Sequence, residues 1–181
     1  MSNSTKTDKP HDFGNLLLAV HGEERIKLVM EDFGKQPTRE EERDWSKLLF
    51  PHLKVESVSS PDVPHPSVTF RFTIQHQHCN RLRNMHGGCT ATLFDFCTSV
   101  PLALVARKGY WARMGVSRTL NVAYLRPAPV GTEVLVECEI MQIGKRLCTV
   151  RGVLKRASDG VVLATCEHGK VNTDLEVGAK A

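Results

Sequence analysis

From His86 to Ala106 the chain reads HGGCTATLFDFCTSVPLALVA, with a single carboxylate, Asp95, and no lysine or arginine. Gly87 and Gly88 open what the pattern predicts to be a long helix. A helix that is apolar on most faces is normally buried, so the rest of the fold must cover it. A carboxylate buried without partners either costs several kcal/mol or becomes protonated. Asp95 therefore needs a reason to be there.

The cover is predicted downstream. Val116–Leu125, Glu133–Gln142, Arg146–Lys155 and Val161–Val171 read as strands. Pro127–Gly131, Ile143–Lys145 and Ala157–Gly160 separate them at hairpin spacing. Upstream, Val68–Ile74 alternates with period two and Leu53–Ser60 does so weakly, with Pro61, Pro64 and Pro66 between them. A curved antiparallel sheet around one apolar helix is the economical α+β arrangement. Pro101 predicts a kink in that helix or an end near Ser99. Asn15–Phe33 reads as helix, with Gly22 a potential break, and Thr38–Glu41 fits a capping box for a helix that stops before Pro51. The expected organisation is a tail and helical extension over 1–50, a main domain over 51–175 and a short tail over 176–181.

Composition excludes more than it identifies. The chain has 181 residues, 41% hydrophobic and 24% charged, as expected of one globular domain. The apolar run after Val100 is too short to span a bilayer, and the polar start shows no secretory core. The six scattered cysteines read as reduced thiols rather than a disulfide framework. We therefore expect no membrane insertion and a cytoplasmic location, with a mitochondrial one left open. Between Asn80 and Val130 stand Arg81, Arg83, Arg107, Lys108, Arg113, Arg118 and Arg126 against the single acid Asp95. Such a basic region suits an anionic, phosphate-bearing ligand. No basic run or nucleic-acid motif accompanies it, so no nucleic-acid partner is expected. His76, His78 and His86 lack the spacing of a structural zinc site, and no metal is expected.

A helix that starts on Gly-Gly presents open backbone N–H groups at the positive end of its dipole, a ready oxyanion site. Tight helix–sheet packing is the other reading of these glycines. Asp95 lies eight residues beyond Gly87, roughly 12 Å along the axis, so one helix cannot bring both groups to one carbonyl. Two antiparallel helices across a twofold axis can. The spacing thus predicts an isologous homodimer with composite sites.

The run Asn80-Arg-Leu-Arg-Asn-Met-His86-Gly-Gly-Cys-Thr-Ala-Thr-Leu-Phe-Asp95 resembles the signature of hotdog-fold acyl-CoA thioesterases, in the phenylacetate-degradation and mammalian small thioesterase branch. The resemblance continues through Gly115-Val-Ser117 and Asn121-Val-Ala-Tyr124-Leu-Arg-Pro127 to about Lys170. The first fifty residues lie outside it. It implies a hotdog fold of five or six antiparallel strands, a double-hotdog dimer and a dimer of dimers. The implied substrate is an acyl-CoA or acyl-carrier thioester, with coenzyme A part of the substrate and no separate cofactor.

By position, the Gly87 N–H would polarise the thioester carbonyl, with Asn80 and His86 positioning it. Asp95 of the partner chain would activate water as general base or act as nucleophile, and Ser117 would orient that water. Tyr124, Arg126, Pro127, Gly144, Lys145, Arg146 and Lys170 would contact the coenzyme A arm. Each residue has a plainer reading: His86 as a cap, Asn80 as a turn residue, Ser117 as strand, Asp95 as a structural acid, and Lys145 and Arg146 as solvated hairpin charges. Pro101, Thr119, Trp111 and Arg113 depart from the expected pattern, and the last two stand where an acyl pocket could be shaped. Two alternatives stand beside hydrolysis: a hotdog dehydratase or hydratase, and a non-catalytic acyl or coenzyme A binding protein.

Overall fold

The computed structural model describes residues 13–35 and 48–174. In chain order the elements are α1 (Phe13–Ala19), α2 (Glu23–Gly34), β1 (Leu53–Val58), β2 (Ser67–Thr73), α3 (Gly87–Ser99), α4 (Leu102–Val105), β3 (Val116–Tyr124), β4 (Glu133–Ile143), β5 (Leu147–Arg156) and β6 (Val162–Val171). The six strands form one antiparallel sheet in the order β1-β2-β4-β5-β6-β3. The wrapped-helix α+β architecture expected from the sequence is the one observed.

Alternation explains which face of the sheet meets α3. On β2, Val68, Phe70 and Phe72 are buried while Ser67, Thr69, Arg71 and Thr73 are partly exposed. On β4 the inward set is Val134, Val136, Cys138 and Ile140. Leu93, Phe94 and Cys97 of α3 complete that core. The helix can approach because β5 offers Gly152 beneath it. A Cβ there would stand 2.8 Å from Phe94 Cδ1 and 2.7 Å from Cys166 Sγ, closer than packed atoms tolerate.

The long helix ends at Ser99, as Pro101 requires, and resumes for one short turn as α4. Gly87–Val105 has the length and hydropathy of a membrane span, more than the sequence reading allowed, but over half of it is buried within the protein. The upstream helix is two helices. Gly22, at φ 55°, breaks it, a conformation glycine adopts without a Cβ penalty. The capping box at Thr38–Glu41 and the terminal tails lie outside the described residues.

Arg25 docks the extension on the core. Its buried guanidinium donates to the carbonyls of Ala103 (3.1 Å), Leu104 (3.4 Å) and Ala106 (2.6 Å), and its Nε to Val20 O (2.6 Å). Those carbonyls include ones that the end of α4 leaves without intrahelical partners. Leu17, Ile26 and Val29 belong to the same hydrophobic cluster as the sheet core.

Candidate active site

Asp95 emerges from the middle of α3 with its side chain 49% exposed and lines a cleft of about 420 Å³. Ser117 Oγ donates to Asp95 Oδ1 at 2.6 Å. Strict alternation along β3 would turn Ser117 away from the helix. Instead Ser117 pairs with Lys170, and Thr119 with Gly169, leaving Arg118 as an extra residue. This bulge turns Ser117 onto the same face as Lys170, Leu120 and Val122, the face that meets α3. Gly115, at φ 61°, sets the entry to the strand. A Cβ there would run into Val171 O and lie 2.7 Å from Trp111 Cζ3.

Behind the carboxylate lies a buried polar layer that sequence reading missed, apart from Lys170. Thr98 Oγ1 donates to Phe94 O (2.5 Å) and stands 2.6 Å from His168 Nδ1. His168 Nε2 faces Asp95 Oδ1 at 3.3 Å without a hydrogen bond. Burial, with the Lys170 cation adding to it and Asp95 opposing, lowers the His168 pKa to about 4. The imidazole is therefore neutral near pH 7. Lys170 is buried, donates to Ser99 Oγ (2.7 Å) and has its pKa lowered, chiefly by burial. Ser99 in turn donates to Asp95 O (2.7 Å). The signal for His168 was present: Cys166, His168 and Lys170 recur at period two on β6, so an inward strand face carries two polar side chains.

The other residues singled out from the sequence cluster elsewhere. Asn80, Gly87, Tyr124, Arg126 and Pro127 line a second cleft at the N-terminus of α3. The Gly87 N–H is the first of its helix and has no partner within it. His86 Nδ1 accepts from Gly88 N (3.0 Å), so His86 is the N-cap. Tyr124 OH donates to Gly87 O (2.9 Å). Asn80 Oδ1 accepts from Leu82 N (2.9 Å) and Asn84 N (3.3 Å), which makes it a turn former and leaves its amide hydrogens to donate. Lys170 lies with Asp95, not with Tyr124 and Arg126. Gly144, Lys145 and Arg146 lie at the β4–β5 hairpin and line neither of these two clefts. The Gly144 and Lys145 carbonyls accept from Trp111 Nε1 (2.9 Å) and Asn172 Nδ2 (3.1 Å).

His78 bears on the question of metal binding. Its Nδ1 accepts from Gln75 N (3.0 Å) and its Nε2 donates to Leu48 O (3.2 Å). Both ring nitrogens thus serve the backbone.

This arrangement can be compared with known proteins. The model of the thioesterase superfamily matches residues 82–163, the segment that carries α3 through β5 and the start of β6. Over that segment the chain is similar to the thioesterase superfamily. Mouse acyl-coenzyme A thioesterase 13 is 33% identical over 97 residues, which are 54% of this chain and 66% of that protein. A zebrafish structure, thioesterase superfamily member 2, superposes with a TM-score of 0.68 at 23% identity, covering 82% of this chain and 96% of its own. The Escherichia coli PaaI protein of the phenylacetic acid degradation operon superposes with a TM-score of 0.56 at 14% identity, over 66% and 82% of the two chains. The sheet wrapped around α3 is thus the hotdog fold of these thioesterases.

Proposed function

We propose that this protein hydrolyses acyl-CoA thioesters, at a site formed by two copies of the chain. The carrying observation is the division of the candidate residues between two clefts. Asp95 and Ser117 line one, Asn80 and Gly87 the other, with roughly 12 Å of helix between Gly87 and Asp95. A thioester carbonyl held by the Gly87 N–H and the Asn80 amide is out of reach of the same chain's Asp95. Antiparallel apposition of two α3 helices joins each N-terminus to the other chain's carboxylate. The open edge of the sheet favours such a partner: among the described residues β3 pairs with β6 alone, and it is exposed along most of its length.

In this reading Asp95 takes a proton from water as general base, and Ser117 orients carboxylate and water. The water oxygen bonds to the carbonyl carbon, and the negative charge that moves onto the carbonyl oxygen is met by the Gly87 N–H at the positive end of the helix dipole. Collapse of the tetrahedral species expels the thiolate. Buried, neutral His168 behind the carboxylate keeps water off its far side. Arg126, which lines the Gly87 cleft, is the cation we assign to the coenzyme A phosphates. The name of the mouse relative supports coenzyme A as the carrier, and the unpaired cysteines fit a reducing compartment such as the cytoplasm.

The test is thiol release from a panel of acyl-CoA esters by the wild type and by Asp95→Asn. General-base removal should lower kcat by about 10²–10⁴ with the dimer intact. Hydration of crotonyl-CoA without thiol release would favour the hydratase reading. Tight acyl-CoA binding with neither reaction would favour a binding protein.

A further inference from the structure

The cleft beside Asp95 has a lining of mixed chemistry. Asp95, Ser99, Ser117, Lys170 and Arg113 supply its polar groups. Phe96, Val100, Met114 and, from the N-terminal extension, Phe33 supply its apolar surface. The Phe33 ring meets Phe96 edge-on at 4.9 Å, and Phe50 meets Phe96 edge-on at 4.6 Å. Phe33 and Phe50 are themselves 5.9 Å apart. Three rings from three separate parts of the chain thus form one aromatic cluster, and two of them, Phe33 and Phe96, line the cleft. Phe33 and Phe50 both lie outside the segment that the superfamily model matches.

Phe33 is held there by its helix. Arg25, Val29 and Phe33 recur every four residues along α2 and share one stripe. Arg25 anchors the stripe to the end of α4 through three carbonyls, and Val29 is fully buried. The wall is therefore part of a fixed helix, not a loose terminus.

We infer that Phe33 is a specificity-determining residue, which limits the length of the apolar acyl chain that can lie in the cleft beside Asp95. The inference rests on the hydrolase reading for its substrate class, but not on Asp95 being the base. An apolar chain gains about fourfold in binding for each methylene it buries, until it meets the aromatic wall.

The experiment compares wild type, Phe33→Ala and Phe33→Leu across saturated acyl-CoA esters of increasing length. Thiol release gives kcat/KM, and binding of S-alkyl-CoA thioethers, which cannot be hydrolysed, gives affinity. Phe33→Ala should move the length optimum out by two or more carbons, with the long-to-short ratio rising about fourfold per added methylene. Phe33→Leu should fall between. Profiles that superimpose on wild type in both assays would overturn the inference while thiol release still upholds the hydrolase. A shifted thioether profile without thiol release would do the reverse. Should Phe33→Ala fail to fold, Phe33→Leu decides alone: an unchanged optimum overturns the role.

Discussion

Ser117 Oγ donates to Asp95 Oδ1 at 2.6 Å, and a bulge in β3 is what brings the two together. Arg118 is the extra residue, and without it the Ser117 side chain would leave the helix-facing side of the sheet. A half-exposed carboxylate in a largely apolar helix thereby acquires one oriented partner toward the cleft and a buried imidazole behind it.

Removal of the serine hydroxyl should therefore affect turnover more than binding. Ser117→Ala is expected to lower kcat about tenfold with KM nearly unchanged, measured by thiol release. A KM effect equal to the kcat effect would move Ser117 from the reacting water to the substrate.

Helix–sheet contact at Gly152 sets the position of α3, and hence of both glycine and carboxylate. Gly152→Ala must displace Phe94 or Cys166 and should destabilise the fold by about 1–3 kcal/mol, the usual range for overpacking. Denaturant titration measures this, and a change under half a kcal/mol would show that the helix is free to shift.

Arg25 should matter to stability beyond its surface charge. Arg25→Met keeps the apolar stem but removes the donors to Ala103, Leu104 and Ala106. A loss of about 2 kcal/mol is expected. Hydrogen exchange should show α2 opening before the sheet does, and uniform loosening would contradict the clamp.

His168 titrates with a sign that can be checked. Burial lowers its folded pKa to about 4 from the ordinary histidine value of 6.5, so the folded state binds the proton less readily than the unfolded one. The stabilisation is complete above the unfolded value and is lost as pH falls from about 6.5 toward 4. His78, also lowered by burial, acts in the same direction. His168→Gln should flatten part of the fall in unfolding free energy across that window. An unchanged slope would assign it to other groups.

Much of this fold is legible in the sequence. Val68, Phe70, Phe72 and Ile74 alternate into the core, and four turn-bounded strands follow an apolar helix that only a wrapped sheet can cover. Pro101 ended the helix where its missing N–H required, and Gly22 broke the first one. The candidate site was legible where residues follow one another along the chain, as from Asn80 to Asp95. It was not where pairing registers decide. The bulge at Arg118 breaks the period-two rule, and His168 meets Asp95 only because β6 lies beneath α3. Asn80 shows why one residue can hold two roles: its oxygen ties the turn while its amide stays available.

The central claim is that each site takes Asp95 from one chain and Gly87 with Asn80 from the other. Mixing two defective variants tests it directly. Asp95→Asn removes the base, and Asn80→Asp removes the amide donor while keeping the oxygen that the turn uses. Each homodimer should be nearly inactive. After co-refolding at equal amounts, half the dimers are mixed and each mixed dimer holds one intact site, so thiol release should recover to about one quarter of wild type. If both groups served one site within a single chain, every site would carry a defect, and mixing would restore nothing.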